Sequence, residues 1–418
     1  MLAGVTNGFN YAALNVVAIR AEWPSSDQTI GLISTGTLIG ATVASLIAGP
    51  IADRAGRRVA ATVGEIVLLC GVFTAAVAPS ARWLAVFEFV KGMGCGICTT
   101  TKCLIVSEMS PPEWRGRVMT AWGLAFTIGG SIPASLNALM NWRAQLLCGA
   151  PTAVAMLCLL SFTRVANVPE PTSEGIQGDA ETQVTETTIL HRQRPAVYTR
   201  ELIVGIGVSI PVAAVATLPG STPFGSDFGL TLGTLGISTA RDPAQFLAIT
   251  TVFSVVGTVA ALVSMTLVDR IGRVALLLRG GAAGVLVGGL LGAYGLFFLS
   301  NDTDAHGSGS GRDVIIPLLL LCLWLLVSKC GPTTVFLVII AELFPTPVRG
   351  LGVGSCVFVQ HLIQIAISFL YPLGLSRFGL GTLSAGCALA VVLPLVVCHK
   401  LVTEERFPQL RAGAPLTS

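Results

Sequence analysis

Gly49-Pro50-Ile51-Ala52-Asp53-Arg54-Ala55-Gly56-Arg57-Arg58 interrupts two long apolar runs, and Leu267-Val268-Asp269-Arg270-Ile271-Gly272-Arg273 interrupts two more. Both contain Asp-Arg-x-Gly-Arg, a short basic turn of the kind retained on the cytoplasmic side of a membrane. A second pair of turns repeats with it. Glu108 stands seven residues before Arg115-Gly116 with Pro111 three after it, and Glu342 stands seven before Arg349-Gly350 with Pro345 three after it. Two halves that repeat their charged turns between apolar runs read as a two-bundle membrane transporter, with binding where the bundles meet.

Composition agrees. A chain of 418 residues with 53% hydrophobic and 11% charged residues and a mean hydropathy of +0.78 is not a soluble globule. A hydrocarbon core of roughly 30 Å takes about 20 apolar residues per helix. Such runs fall near 2–19, 29–49, 59–79, 83–106, 118–140, 144–163, 201–218, 243–267, 274–299, 314–341, 351–372 and 381–400. The expected fold is therefore an all-α membrane protein with twelve spans in two pseudo-symmetric six-helix bundles, 1–163 and 201–400. Residues 164–200, with Pro169, Pro171 and a Glu/Thr/Gln-rich centre, form a cytoplasmic linker, and 401–418 a cytoplasmic tail.

With both ends inside, the cytoplasmic segments hold fifteen Lys and Arg residues against six outside. That bias places both termini in the cytoplasm of a multi-pass protein of the plasma membrane or an organelle membrane. It also accounts for the net charge of +3, so no nucleic-acid partner is implied. The expected partners are a small-molecule solute and the bilayer, and the expected state is a monomer. Met1 opens directly into apolar sequence without a basic leader, which leaves open a short first span or a missing upstream segment.

All eleven cysteines fall in the apolar spans, unlike a disulfide framework. Cys95 and Cys98 lie within Gly92-Met93-Gly94-Cys95-Gly96-Ile97-Cys98, which reads as small residues for close helix packing rather than a redox or metal motif. No P-loop, zinc-ligand cluster or nucleophile elbow is present, so no enzyme activity, cofactor or metal is expected. Asn301-Asp302-Thr303 is a glycosylation acceptor pattern in an external loop.

The turn from Gly49 to Arg58 resembles the signature loop of the major facilitator superfamily. Glu108-x-x-Pro111-x-x-x-Arg115-Gly116 and Asn141-Trp142-Arg143 resemble the branch that holds sugar porters and phosphate:proton symporters. Three stretches are more similar to the phosphate symporters. They are Thr6 to Asn15 in the first span, Leu267 to Arg273 after the eighth, and Gly331-Pro332 eleven residues before Glu342. The resemblance implies alternating access around a central site. It also implies a cytoplasmic gate in which Asp53, Arg57, Glu108 and Arg115 meet Asp269, Arg273, Glu342 and Arg349. The family's phosphate contacts are absent, because its fourth-, fifth- and tenth-span positions fall on Thr99, Phe126 and Thr333, and its seventh-span contacts near Ile210 and Ala214. Its first-span acids stand here as Asn7 and Asn10.

Ionisable residues inside a membrane are functional candidates by default. Glu88 and Lys91, three apart, read as a local pair, and Arg279 as a snorkelling side chain. Lys102 and Lys329 lie on spans related by the pseudo-symmetry, so they suggest an anionic solute, with a structural Lys102–Glu65 pair as the competing reading. Gln360, His361 and Gln364 are further candidates for solute contact or for hydrogen bonding to a neighbouring helix. The expected function is transport of a small polar solute, an organic or phosphate-like anion first and a sugar or other neutral solute second, with a solute-sensing receptor as a third reading. Glu65 is the one deep carboxylate left for proton coupling, and a pair with Lys102 would keep it ionised. Downhill facilitated transport, or coupling to something other than protons, is therefore expected.

Overall fold

The computed structural model describes residues 1–13, 19, 22–23, 27–111, 114–136, 140–162, 202–218, 228–237, 243–299, 311–344 and 348–402. The expected linker 164–200, the Asn301 pattern and nearly all of the tail lie outside them. The described regular structure is helical throughout. In lipid every backbone amide must be satisfied within its own segment, and helices do this. In chain order they are α1 Leu2–Ala12, α2 Asp27–Ala55, α3 Arg57–Ala76, α4 Ala81–Met109, α5 Arg115–Leu136, and α6 and α7 at Trp142–Phe162 and Leu202–Leu218. The rest are α8 Pro243–Ile271, α9 Arg273–Tyr294, α10 in two pieces at Gly311–Cys330 and Pro332–Leu343, and α11 and α12 on either side of Gly379 within Arg349–Leu401.

These twelve helices follow the expected spans, and the breaks have local causes. In α10, Gly331 leaves the helical region and Pro332 begins the second piece; Pro has no amide to donate and clashes with the turn before it. Between α11 and α12 only Gly379 departs from helical geometry, with φ 73° and ψ 171°. α6 is broken near Cys148 and Gly149, just before Pro151. A short helix, Phe228–Thr234, was not foreseen. The turns at Gly56 (φ 90°, ψ 151°) and Gly272 (φ 91°, ψ 153°) have the same backbone conformation to within two degrees, a region in which only glycine is unstrained.

Small residues set the helix spacing within the first half. A side chain at Gly92 would run into the Thr37 carbonyl, and one at Gly8 into that of Phe126, so α4 approaches α2 and α1 approaches α5 with backbone nearly touching backbone. Cys95 and Cys98 are buried in this packing. Between the halves, α2 runs along α11 and α5 along α8. Gly49 abuts the Gly350 carbonyl, and a side chain at Gly257 would lie 3.6 Å from Thr127. A buried core including Val212, Leu277, Phe336, Ile340 and Val357 lies beside the seam.

Candidate functional site

At the centre, α4 carries Thr99 and Lys102 one turn apart, facing α1 and α3. Lys102 Nζ lies 2.5 Å from Glu65 Oε1, and neither side chain is more than 1% exposed. The same amine donates to Asn7 Oδ1 at 2.9 Å. Asn7 Nδ2 donates in turn to Thr99 Oγ1 at 3.3 Å, and that hydroxyl donates to the Cys95 carbonyl at 2.9 Å. The group is neutral as a whole. A buried pair of this kind holds its geometry because the loss of one charge would strand the other.

Asn10, one turn beyond Asn7, donates to the Thr6 carbonyl at 2.8 Å and leaves Oδ1 without a partner. Tyr11 reaches across to the other half, where its hydroxyl lies 3.3 Å from His361 Nε2 on α11. The two rings stack with centroids 6.0 Å apart, and Phe126 on α5 lies 5.8 Å from Tyr11. His361 Nδ1 has no partner, and Gln360 beside it is half-buried. On α10, Thr333 Oγ1 donates to the Ala216 carbonyl of α7 at 3.1 Å, and Thr334 donates to the Lys329 carbonyl across the Gly331 break. Lys329 is half-buried, and its amine has no ion-pair or hydrogen-bond partner among the described residues. The structure thus does not bring Lys102 and Lys329 together as two free cations: one is neutralised between α1, α3 and α4, and the other stands alone on α10. Glu88 and Lys91 pair at 2.6 Å, with Thr37 donating to Glu88 at 2.6 Å.

One end of the bundle gathers the repeated charges. In the first half Arg57 contacts Asp53 at 2.5 Å and Glu108 at 3.1 Å. In the second Arg273 contacts Glu342 at 3.1 Å and Asp269 at 3.9 Å. Each aspartate also crosses the seam. Asp269 packs on Gly116 in the first turn of α5, and Asp53 on Gly350 in the first turn of α11. A carboxylate on a helix N-terminus meets the positive end of the helix dipole, so each half binds the start of a helix in the other. Two ion pairs cross as well, Arg117–Asp269 at 3.0 Å and Arg349–Glu108 at 4.0 Å. Arg115 donates to the Ser107 carbonyl at 3.1 Å within its own half.

At the opposite end Arg143 donates to the carbonyls of Ala76 and Ala78 at 2.9 and 3.1 Å, closing the last turn of α3. It pairs with Glu22 at 2.8 Å, to which Trp142 Nε1 donates at 2.6 Å. Arg143 stacks over Trp142 and Trp23. Its hydrogen bond to Glu22, helped by Trp142, holds that carboxyl below the usual glutamate value.

Tyr11 and Arg117 belong to these sites and were not singled out from sequence. Arg117 sits two residues after the Gly116 that the turn motif does mark. Tyr11 is one of only four tyrosines, but its partner lies 350 positions away, and no local pattern reports that.

A family model described as Major Facilitator Superfamily matches residues 1–368. Among relatives, D-xylose-proton symporter-like 2 of Arabidopsis thaliana is 24% identical, covering 97% of this chain and 87% of its own. The major myo-inositol transporter IolT of Bacillus subtilis is 24% identical, covering 98% and 89%. Among solved structures, the proton:xylose symporter XylE bound to 6-bromo-6-deoxy-D-glucose shares the fold with a TM-score of 0.76 at 18% identity, covering 96% of this chain and 94% of that one. The inward-open form of the xylose transporter XylE from E. coli gives 0.66 at 17% identity, covering 96% and 94%.

Proposed function

Because this chain belongs to the major facilitator superfamily, we propose that it carries a hydroxylated organic solute of sugar or polyol size through the centre of its two bundles by alternating access. It is a multi-pass membrane transporter of a small polar solute, and not an enzyme. The observation that supports a hydroxylated solute is the neutralisation of Lys102 by Glu65. It leaves Tyr11, Phe126, Gln360 and His361 to furnish the centre with rings and polar groups, beside the amine of Lys329. Hydroxyl groups suit such a lining, and a ring packs on its aromatic faces. Relatives named for D-xylose and myo-inositol fit this size and polarity.

The charged end faces the cytoplasm in this reading, as the excess of basic residues there requires, and both termini lie on that side. The two bundles, 1–163 and 201–400, are the moving bodies of a monomer. Asp53, Arg57, Glu108, Arg117, Asp269, Arg273, Glu342 and Arg349 then form the cytoplasmic gate, drawn closed, with Arg115 bracing the turn beside it. Transport runs downhill, since Asn7 and Asn10 carry amides that cannot exchange protons near neutral pH and Glu65 is occupied by its pair with Lys102.

Uptake into proteoliposomes of labelled D-xylose, myo-inositol and D-glucose tests the reading. Saturable uptake of at least one solute is expected, indifferent to an imposed pH gradient. Folded, inserted protein that moves none of them would overturn it.

A further inference from the structure

Resting on that transport reading, we propose that the solute carries a single negative charge, a carboxylate on a hydroxylated body as in a sugar acid, and that Lys329 is its counter-ion. Ionisable groups deep in a membrane protein are normally paired, and this chain follows the rule elsewhere. Lys91 is matched by Glu88 and Lys102 by Glu65. Arg279 lies about 9 Å from the start of α9, where a long stem reaches the surface. Lys329 has no partner among the described residues. It cannot escape either. It stands 18 residues from Gly311 and 14 from Leu343, about 27 and 21 Å along the helix, farther than its side chain extends.

The neighbours of Lys329 place it toward the seam. Leu325, one turn earlier, reaches to 3.8 Å of the position a side chain would take at Gly257 on α8, where Thr127 of α5 also reaches. Thr334, after the break, lies 3.5 Å from the corresponding position at Gly123 on α5. Lys329 lies between them, two residues before the Gly331 break. An anion bound there sits beside the one point in α10 where the helix bends.

The number of charges selects the anion. A phosphate group brings about −1.5 to −2 charges at neutral pH and several strong acceptors, and a lone ammonium leaves part of that uncompensated. A single carboxylate matches it one to one. The hydroxylated remainder is offered two buried polar atoms that lack partners, Trp122 Nε1 and His361 Nδ1. Both lie on or beside the cluster of Tyr11, Phe126 and His361.

The test is uptake of D-glucuronate, D-gluconate, D-glucose and D-glucose 6-phosphate into proteoliposomes containing wild type, K329Q or K329R. Wild type should take up one of the carboxylates in preference to glucose and to the phosphate ester. K329Q should lose at least about 30-fold of that carboxylate uptake, a far larger loss than that of glucose uptake, and K329R should retain most of it. In parallel, D-glucuronate or D-gluconate, but not glucose, should protect Lys329 of wild type from acetylation by acetic anhydride, read by mass spectrometry. A wild-type preference for glucose or for the phosphate ester, or equal loss of all solutes in K329Q, would overturn the charge assignment and leave the transport reading standing. Uptake of no compound at all counts against the transport reading, and the protection measurement then still decides the role of Lys329.

Discussion

Neutralising Asp269 should open the charged end of the bundle by a calculable amount. Its carboxylate pairs with Arg117 at 3.0 Å, stands 3.9 Å from Arg273, and is 14% exposed. It also packs on Gly116 at the start of α5. An ion pair at this exposure is worth about 0–1 kcal/mol. A charge on a helix N-terminus adds about 0.3–1 kcal/mol, and up to about 2 when partly buried. Asp269→Asn should therefore weaken the closed state by about 1–2 kcal/mol, a factor of roughly 5–30 in the ratio of closed to open. The equivalent contact of Asp53 with Gly350 remains and limits the shift. Hydrogen exchange on protein in liposomes reads it directly, because the exchange of a protected amide follows the population of the open state. Amides at 115–120 should exchange roughly 5–30 times faster, and solute uptake should slow because the closed state of this end is less populated. Unchanged exchange at the start of α5, in protein that is inserted and folded, would refute the reasoning whatever happened to uptake.

Three further outcomes follow from the buried and capping contacts. Lys102→Gln should destabilise the first bundle by about 3–5 kcal/mol by leaving Glu65 buried without its counter-charge, and the double variant Lys102→Gln/Glu65→Gln should recover most of that loss in a denaturation midpoint. Gly92→Val should cost about 1–3 kcal/mol by forcing α4 from the Thr37 carbonyl, seen as a lower midpoint with α3 contacts intact. Glu22, held below the usual glutamate value by Arg143, contributes stability that is complete above its unfolded pKa, about 4.3, and lost as pH falls through its lower folded pKa. The pair is over a third exposed on the glutamate side, so the increment is at most about 1 kcal/mol. Melting curves from pH 6 downward should show it, and Glu22→Gln should remove that part of the acid sensitivity.

The spans were legible because an apolar run long enough to cross a bilayer has few other readings, and the turns because Asp53 to Arg57 and Asp269 to Arg273 repeat. Gly331-Pro332 announced the break in α10 for the same chemical reason that it breaks there. Phe228–Thr234 was hidden, being only seven residues long, too short for a helical period to register. At the centre, the sequence offered Lys102 to an anion and to Glu65 alike. Only the packing of α3 on α4, closed by glycines such as Gly94 against Leu68, brings the carboxylate to 2.5 Å. Contacts between Tyr11 and His361, or Arg117 and Asp269, depend on how two sets of helices far apart in sequence meet, and periodicity within either set carries no trace of that.

The matched backbone at Gly56 and Gly272 also bears on inherited variation. Glycine is encoded by codons that share their first two bases, so any missense change at either codon adds a β-carbon. In this backbone region that carbon costs about 1–3 kcal/mol, whatever side chain follows it. Substitutions at these two sites should therefore be ranked together, and by position rather than by the chemistry of the new residue. Conservative replacements such as alanine or serine would be as informative about disease or fitness as bulky ones. An equivalent change at Gly207, where a side chain would meet open space, carries no such presumption.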